Sequence, residues 1–145
     1  MKAYTIGFTQ KTAEQFFGAL TSANVKRIID VRLKNSSQLS GFAKRNDLQY
    51  FLREIAGIEY VHEPLLAPTD EILSAYRKKE IGWTEYERQF AILMQEREIE
   101  KRLDPKILDS GCLLCSEAEP HFCHRRLVLE YLRSAWGEID VDHLT

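Results

Sequence analysis

No run of apolar residues in the 145-residue chain is long enough to cross a bilayer, so a transmembrane helix is excluded. The opening MKAYTIGFTQ has one lysine but neither a sustained apolar stretch nor a small-residue cleavage site, and does not read as a secretory signal. Basic charge is not in excess. Twenty Lys+Arg stand against 22 Asp+Glu, for a formal net charge of -2, whereas a dedicated electrostatic binder of nucleic acid is basic. Bulk charge therefore gives a nucleic-acid partner no support, although a local basic site is a separate matter. Cysteine is sparse and odd in number, three in all. Without a signal, that count points to a reducing, cytoplasmic compartment, where thiols serve redox, nucleophilic or metal chemistry rather than stapling. Internal repeats and low-complexity tracts are also missing.

The composition, 44% hydrophobic and 29% charged, is that of an ordinary soluble globule, and the length suits one core. One domain over residues 1–145 is expected. Strand-like runs occupy Ala3–Phe8, Arg27–Val31, Ile58–His62, Cys112–Cys115 and Ile139–Val141. Helical periodicity separates them. The first helix opens on a capping box at Thr12–Gln15, and its Ala13, Phe16, Phe17 and Leu20 form one face. A second starts near Asn46, buries Leu48, Phe51, Leu52 and Ile55, and stops at Gly57. A third begins at Thr69 with acids at its positive end, and a fourth opens on a capping box at Thr84–Glu87 with Tyr86, Phe90, Leu93 and Met94. The last runs from Cys123 to Trp136, with Leu127, Val128, Tyr131, Leu132 and Ala135 inward and Gly137 as its end. Strands alternating with helices imply a mostly parallel five-stranded sheet covered on both faces, a Rossmann-like three-layer α/β sandwich. The long crossover at 69–101 reads as a small sub-lobe, and the charged stretch Glu96–Arg102 as the solvated end of a helix.

Open parallel sheets bind ligands beyond the carboxyl ends of their strands. At that edge Asp30 and Arg32 share one side of the second strand, as a structural ion pair or as a clamp in which Asp30 orients Arg32. The polar loop Leu33–Arg45 reads as a lid, with Phe42 for stacking and Lys44 for a phosphate. His62, ending the third strand, is either a ligand contact or a hydrogen-bonded structural residue, and His143 is open in the same way.

The richest segment is Cys115-Ser-Glu117 followed by Glu119-Pro120-His121-Phe-Cys123-His124-Arg125-Arg126. An apolar strand ends, Pro120 turns the chain, and a helix begins. Helix N-termini bind anions, yet here His124, Arg125 and Arg126 stand where the dipole repels them, at a cost of about 0.3–1 kcal/mol per charge. Either an anionic ligand or acids such as Glu117 and Glu119 must compensate. Cys123, beside those cations, has a setting that favours thiolate, and is either a nucleophile or redox centre or a small buried hydrophobe. Cys112, Cys115, Cys123 and His124 resemble a zinc set only superficially, because Cys112 and Cys115 would leave a strand on opposite faces. No metal or cofactor is read from the sequence. Cys115 and Cys123 could instead approach across the loop and oxidise reversibly.

Several of these motifs are shared with a known family. Tyr4-Thr5-Ile6-Gly7, Asp30-Val31-Arg32, Gly57-Ile58-x-Tyr60 with His62, and above all Leu114-Cys115-x-Glu117 with Pro120-x-x-Cys123-His124-Arg125 resemble domain-of-unknown-function family 488 over nearly the whole chain. The resemblance implies an α/β fold and a site built from Arg32, Cys115, Glu117, Cys123, His124 and Arg125. It implies no reaction. The chain departs from the family at Asn35, where proline is frequent, and near Ala67-Pro68, where paired glycines are frequent.

Three functions fit these residues. The leading one is a site for a nucleotide, a nucleic-acid phosphate or another small phosphorylated ligand. In it Arg125 or Arg126 holds the anion, Arg32 clamps it, and Glu117 orients an arginine or serves as acid or base. The second is a thiol enzyme with Cys123 as nucleophile or redox centre and His124 and Arg125 stabilising the thiolate. The third is a non-catalytic interaction module whose ion network is structural.

Overall fold

A computed structural model describes residues 1–34, 41–116 and 123–144. Five strands, β1 (Lys2–Gly7), β2 (Arg27–Asp30), β3 (Glu59–His62), β4 (Gly111–Cys115) and β5 (Asp140–His143), form one sheet in the order β3-β2-β4-β1-β5. All four pairings are parallel. The central strands are apolar at successive positions, so both of their faces need cover. Ile6, Ile28, Cys112 and Leu114 face one core, while Ala3, Ile29, Leu113 and Cys115 face the other. Helices α1 (Ala13–Ser22) and α2 (Arg45–Phe51) close the first core. Helices α3 (Asp70–Arg77), α4 (Trp83–Arg97), α5 (Ile99–Arg102) and α6 (His124–Trp136) lie on the opposite side. The result is a three-layer α/β sandwich.

Local signals account for most helix ends. Thr12 and Gln15 make both bonds of the capping box of α1, and Thr69 caps α3 by accepting from the Ile72 N–H. Gly57 ends the second helical segment in the left-handed conformation at φ 64°, where a side chain would be strained. At Gly111 the requirement is space: an added Cβ would lie 2.6 Å from the Ile107 carbonyl oxygen and 3.0 Å from Ile29 Cδ1.

Tertiary packing overrode the sequence pattern in four places. The capping box expected at Thr84 does not form. Gly82 caps α4 instead, and Glu87, which would have closed the box, accepts from Trp83 Nε1 and Arg126. Ile55 is 62% exposed rather than inward, because the chain beyond α2 widens into a π turn over Leu52–Ala56 that rotates it outward. Ala135 is likewise exposed, near the frayed end of α6. Glu96–Arg102 is a solvated helix end only in part, with Glu96, Glu98, Lys101 and Arg102 exposed. It breaks at Glu98, turns again as α5 and buries Ile99, while Arg97 donates to the Leu65 and Ala67 carbonyls at 2.8 and 2.6 Å. The crossover that carries these residues shares one core with the sheet, since Phe90, Met94 and Ile99 cluster with Ile29 and Leu113.

Candidate functional site

From β2 the chain moves outward to β3, and from β4 it crosses the other way to β5. Because β2 and β4 are neighbours, their diverging connections open a crevice at the carboxyl ends of these two strands. A cavity of about 280 Å³ lies there, near the lower end of small-molecule sites. Its walls come from Arg32, Leu33 and Lys34 after β2, Cys115 and Ser116 at the end of β4, Cys123 and His124 at the start of α6, and side chains of α3 and α4. Tyr76, Trp83 and Tyr86 supply an aromatic wall, with Trp83 stacked on Tyr86 at 4.8 Å and 14°. Arg32, Lys34 and Arg77 are the cations. No carboxylate lines the cavity among the described residues.

Arg32 is held in place by a buried network. Its Nε and Nη2 donate to the two oxygens of Asp30 at 2.8 and 2.7 Å, its Nη1 donates to the Ala43 carbonyl at 2.7 Å, and its guanidinium lies 5.4 Å from the centre of the Phe8 ring. Tyr60 donates a further bond to Asp30 at 2.6 Å. Burial alone would raise the Asp30 pKa, but hydrogen bonds and charge from Arg32, with the Tyr60 hydroxyl, hold the carboxyl below its ordinary 3.8. Of the five guanidinium N–H groups, Nε, Nη1 and Nη2 each use one in these bonds, so two still point elsewhere. His62 fixes the backbone here, with Nε2 donating to the Arg32 carbonyl at 3.1 Å.

On the other side of the crevice, a disulfide joins Cys115 to Cys123, the residue that caps α6. Arg125 is fully buried, and its Nη1 donates to Cys115 Sγ at 3.1 Å. His124 Nε2 lies 2.7 Å from the Val31 carbonyl, which can only accept, so that nitrogen carries a proton. Burial first, and the Arg125 charge after it, pull the His124 pKa down to about 4 against the Val31 hydrogen bond, leaving the ring neutral near pH 7. Arg126 turns away from the cavity and pairs with Glu87 at 2.8 Å and Glu130 at 2.7 Å. Since Glu87 also accepts from Trp83 at 3.0 Å, Arg126 steadies the aromatic wall from behind.

The family can now be stated. A family model described as domain of unknown function DUF488 matches residues 12–132. The chain belongs to that family. Neither a curated protein nor a solved structure matches it.

In this DUF488 domain, Arg32, Cys115, Cys123 and His124 come together around the cavity, and Arg125 sits directly behind Cys115. Asp30 and His62 do not line the cavity. They hold Arg32 by its side chain and its backbone. Glu117, with Glu119, Pro120 and His121, lies outside the described residues, as does the 35–40 portion of the expected lid. Phe42 is committed elsewhere, packed 5.4 Å from Phe16 and 6.0 Å from Phe17. Lys44 is an exposed residue at the start of α2. His143 bonds Thr5 Oγ1 at 2.6 Å on β5, away from the cavity. Cys112 is a buried free thiol facing the other core, and burial pushes its pKa well up. Sequence reasoning missed Lys34, Tyr76, Arg77 and Trp83. Spacing held a signal for Trp83, because Trp83, Tyr86 and Phe90 recur at helical intervals on one stripe. No signal in the sequence placed α3 over the carboxyl end of β2.

Proposed function

We propose that the crevice binds a small phosphorylated ligand that carries a flat ring, a mononucleotide in size and chemistry. One observation carries the reading: three cationic side chains, Arg32, Lys34 and Arg77, and no carboxylate among the described lining residues surround a cavity with a stacked aromatic wall. Anions gain from that imbalance, and rings gain from stacking on Trp83. The Asp30 pair fixes the Arg32 fork while leaving it N–H donors to spend on a ligand. Lys34 has an exposed pairing with Asp70 at 3.7 Å, which is worth too little to compete with a phosphate. A cavity this small, in a chain of net charge -2, favours a small molecule over a nucleic-acid strand.

Adenosine monophosphate and inorganic pyrophosphate are the probes, titrated against the full chain at low and moderate salt while Trp fluorescence and heat are followed. Saturable binding that weakens with salt is expected, with Arg77→Glu weakening it roughly tenfold or more, the worth of a charge-assisted contact. Absence of binding by both probes at millimolar concentration and low salt defeats the reading. A second reading, thiol chemistry, is favoured by one specific observation, the buried Arg125 guanidinium aimed at a bridged sulfur.

A further inference from the structure

We infer that Cys115 and Cys123 form a working thiol–disulfide couple that exchanges with small anionic thiols held in the crevice, an inference that rests on reading the crevice as an anion site. Three observations lead there. Both cysteines line the cavity, so an incoming thiol can meet the bridge from within a binding site. The charged side chains around the cavity that would attract such a thiol are Arg32, Lys34 and Arg77, all cationic. The third is the position of Arg125. A sulfur in a disulfide is a neutral, weak acceptor, whereas a thiolate is a strong one, so a fully buried guanidinium 3.1 Å from Cys115 Sγ gains most when the bridge opens.

The same contact sets the direction of exchange. A disulfide opens faster when the departing sulfur is the better thiolate. A donor thiolate therefore attacks Cys123 Sγ, the Cys115–Cys123 bond breaks, and Cys115 leaves as a thiolate held by Arg125. The donor is now joined to Cys123 as a mixed disulfide. A second donor thiolate attacks the donor's own sulfur, releasing the donor disulfide and leaving Cys123 as a thiolate that takes a proton from water. Two donor thiols are oxidised and the protein bridge gains two electrons. A disulfide of the same anionic class reverses the sequence. Cys112, buried against the other core, takes no part.

The test mixes the oxidised full chain with 2-mercaptoethanesulfonate, 2-mercaptoethanol or cysteamine, small thiols that differ in charge, at matched thiolate concentration. Samples are quenched in acid, alkylated and weighed by mass spectrometry, and pyrophosphate binding is measured in parallel. The sulfonate is expected to open the bridge roughly tenfold faster than cysteamine, because cations around a site concentrate anions. Arg77→Glu should erase that preference. Arg125→Leu should slow opening roughly tenfold by worsening the leaving group. Because that buried site could fail to fold when changed, a second measurement on the unchanged chain carries the same point. Peptide mapping of the acid-quenched intermediate formed with a limiting amount of the sulfonate should place the donor on Cys123, the sulfur attacked, and not on Cys115, the sulfur that leaves. A bridge that resists all three thiols in the folded protein, while pyrophosphate still binds, overturns the couple and leaves the anion site standing. Opening at equal rates with no pyrophosphate binding overturns the anion site and the substrate class with it. A donor found on Cys115 in that intermediate overturns the assignment of the leaving sulfur.

Discussion

Replacing Asp30 with Asn removes one negative charge from the centre of the molecule while keeping its shape. Asp30 is fully buried and accepts four bonds from the described residues: from the Arg32 backbone N–H at 3.2 Å, Arg32 Nε at 2.8 Å, Arg32 Nη2 at 2.7 Å and the Tyr60 hydroxyl at 2.6 Å. Asn presents one oxygen and one NH2, so at least one arginine N–H must face a donor even when the Tyr60 hydroxyl turns to accept. Arg32, only 3% exposed, also keeps its charge with no carboxylate to answer it. Breaking a buried pair from one side costs about 3–5 kcal/mol, a large share of the roughly 5–15 kcal/mol that holds a domain together. Urea unfolding at neutral pH reads it. With a slope of about 2 kcal/mol per molar, the midpoint should fall by roughly 2 M. Adding Arg32→Met to Asp30→Asn should return part of the loss, since the second change removes the orphaned charge. The pH dependence has a definite sign. The folded pKa of Asp30 lies below 3.8, so its contribution is complete above the unfolded value and is lost as pH falls through the folded one, and Asp30→Asn should flatten that acid limb. A cost under about 1 kcal/mol, or strict additivity in the double variant, refutes the account of Asp30 and Arg32 as a coupled buried pair.

Two further outcomes follow from the same packing. His124 titrates near pH 4 against an ordinary 6.5. Between those values the unfolded chain binds a proton that the folded one does not, so stability should drop as pH falls through that window, and a ring titration by NMR with a midpoint near 6.5 would contradict the burial. Gly111→Ala drives a methyl against the Ile107 carbonyl and should cost about 1–3 kcal/mol in a thermal or urea melt, while Gly41→Ala, with nothing within 4 Å of the added carbon, serves as the tolerant control. Equal behaviour of the two alanine variants refutes the close approach.

Signals that act within a few residues were legible in the sequence. Thr12 and Gln15, Thr69, Gly57 and Gly137 all end or begin helices where the pattern places them, because each works through backbone groups one turn away. Four of the five strands also lie within a residue of their apolar runs, while β5 begins one residue later and runs two residues further than Ile139–Val141. Signals that depend on a partner from elsewhere failed. Thr84 lost its box because Glu87 was taken by Trp83 and by an arginine 39 positions later in the chain. Arg125 is the instructive case. Read beside His124 and Arg126 it is one of three cations at a helix end and is expected in the anion site, yet it shares a stripe with Val128, Leu129 and Leu132, all buried, a signal for the core that such a reading passes over. Arg126, one step around the helix, has Glu130 four residues on and belongs to the outer face.

The crowd of positive residues at the start of α6 thus has three separate outcomes, and together they move the proposed anion site away from that helix end. His124 escapes the helix field by remaining neutral. Arg126 answers it with Glu87 and Glu130. Arg125 points inward to sulfur. None of the three supplies a fixed charge to the cavity. The charges that do face it come from Arg32 and Lys34 after β2 and Arg77 on α3. In the proposed couple the helix end therefore contributes a cysteine of the bridge and the arginine behind it, while the neighbouring strand end and the crossover contribute the cations. A topological switch between β2 and β4 is what brings the two sets within one crevice, since only there do the connections part and leave both strand ends uncovered.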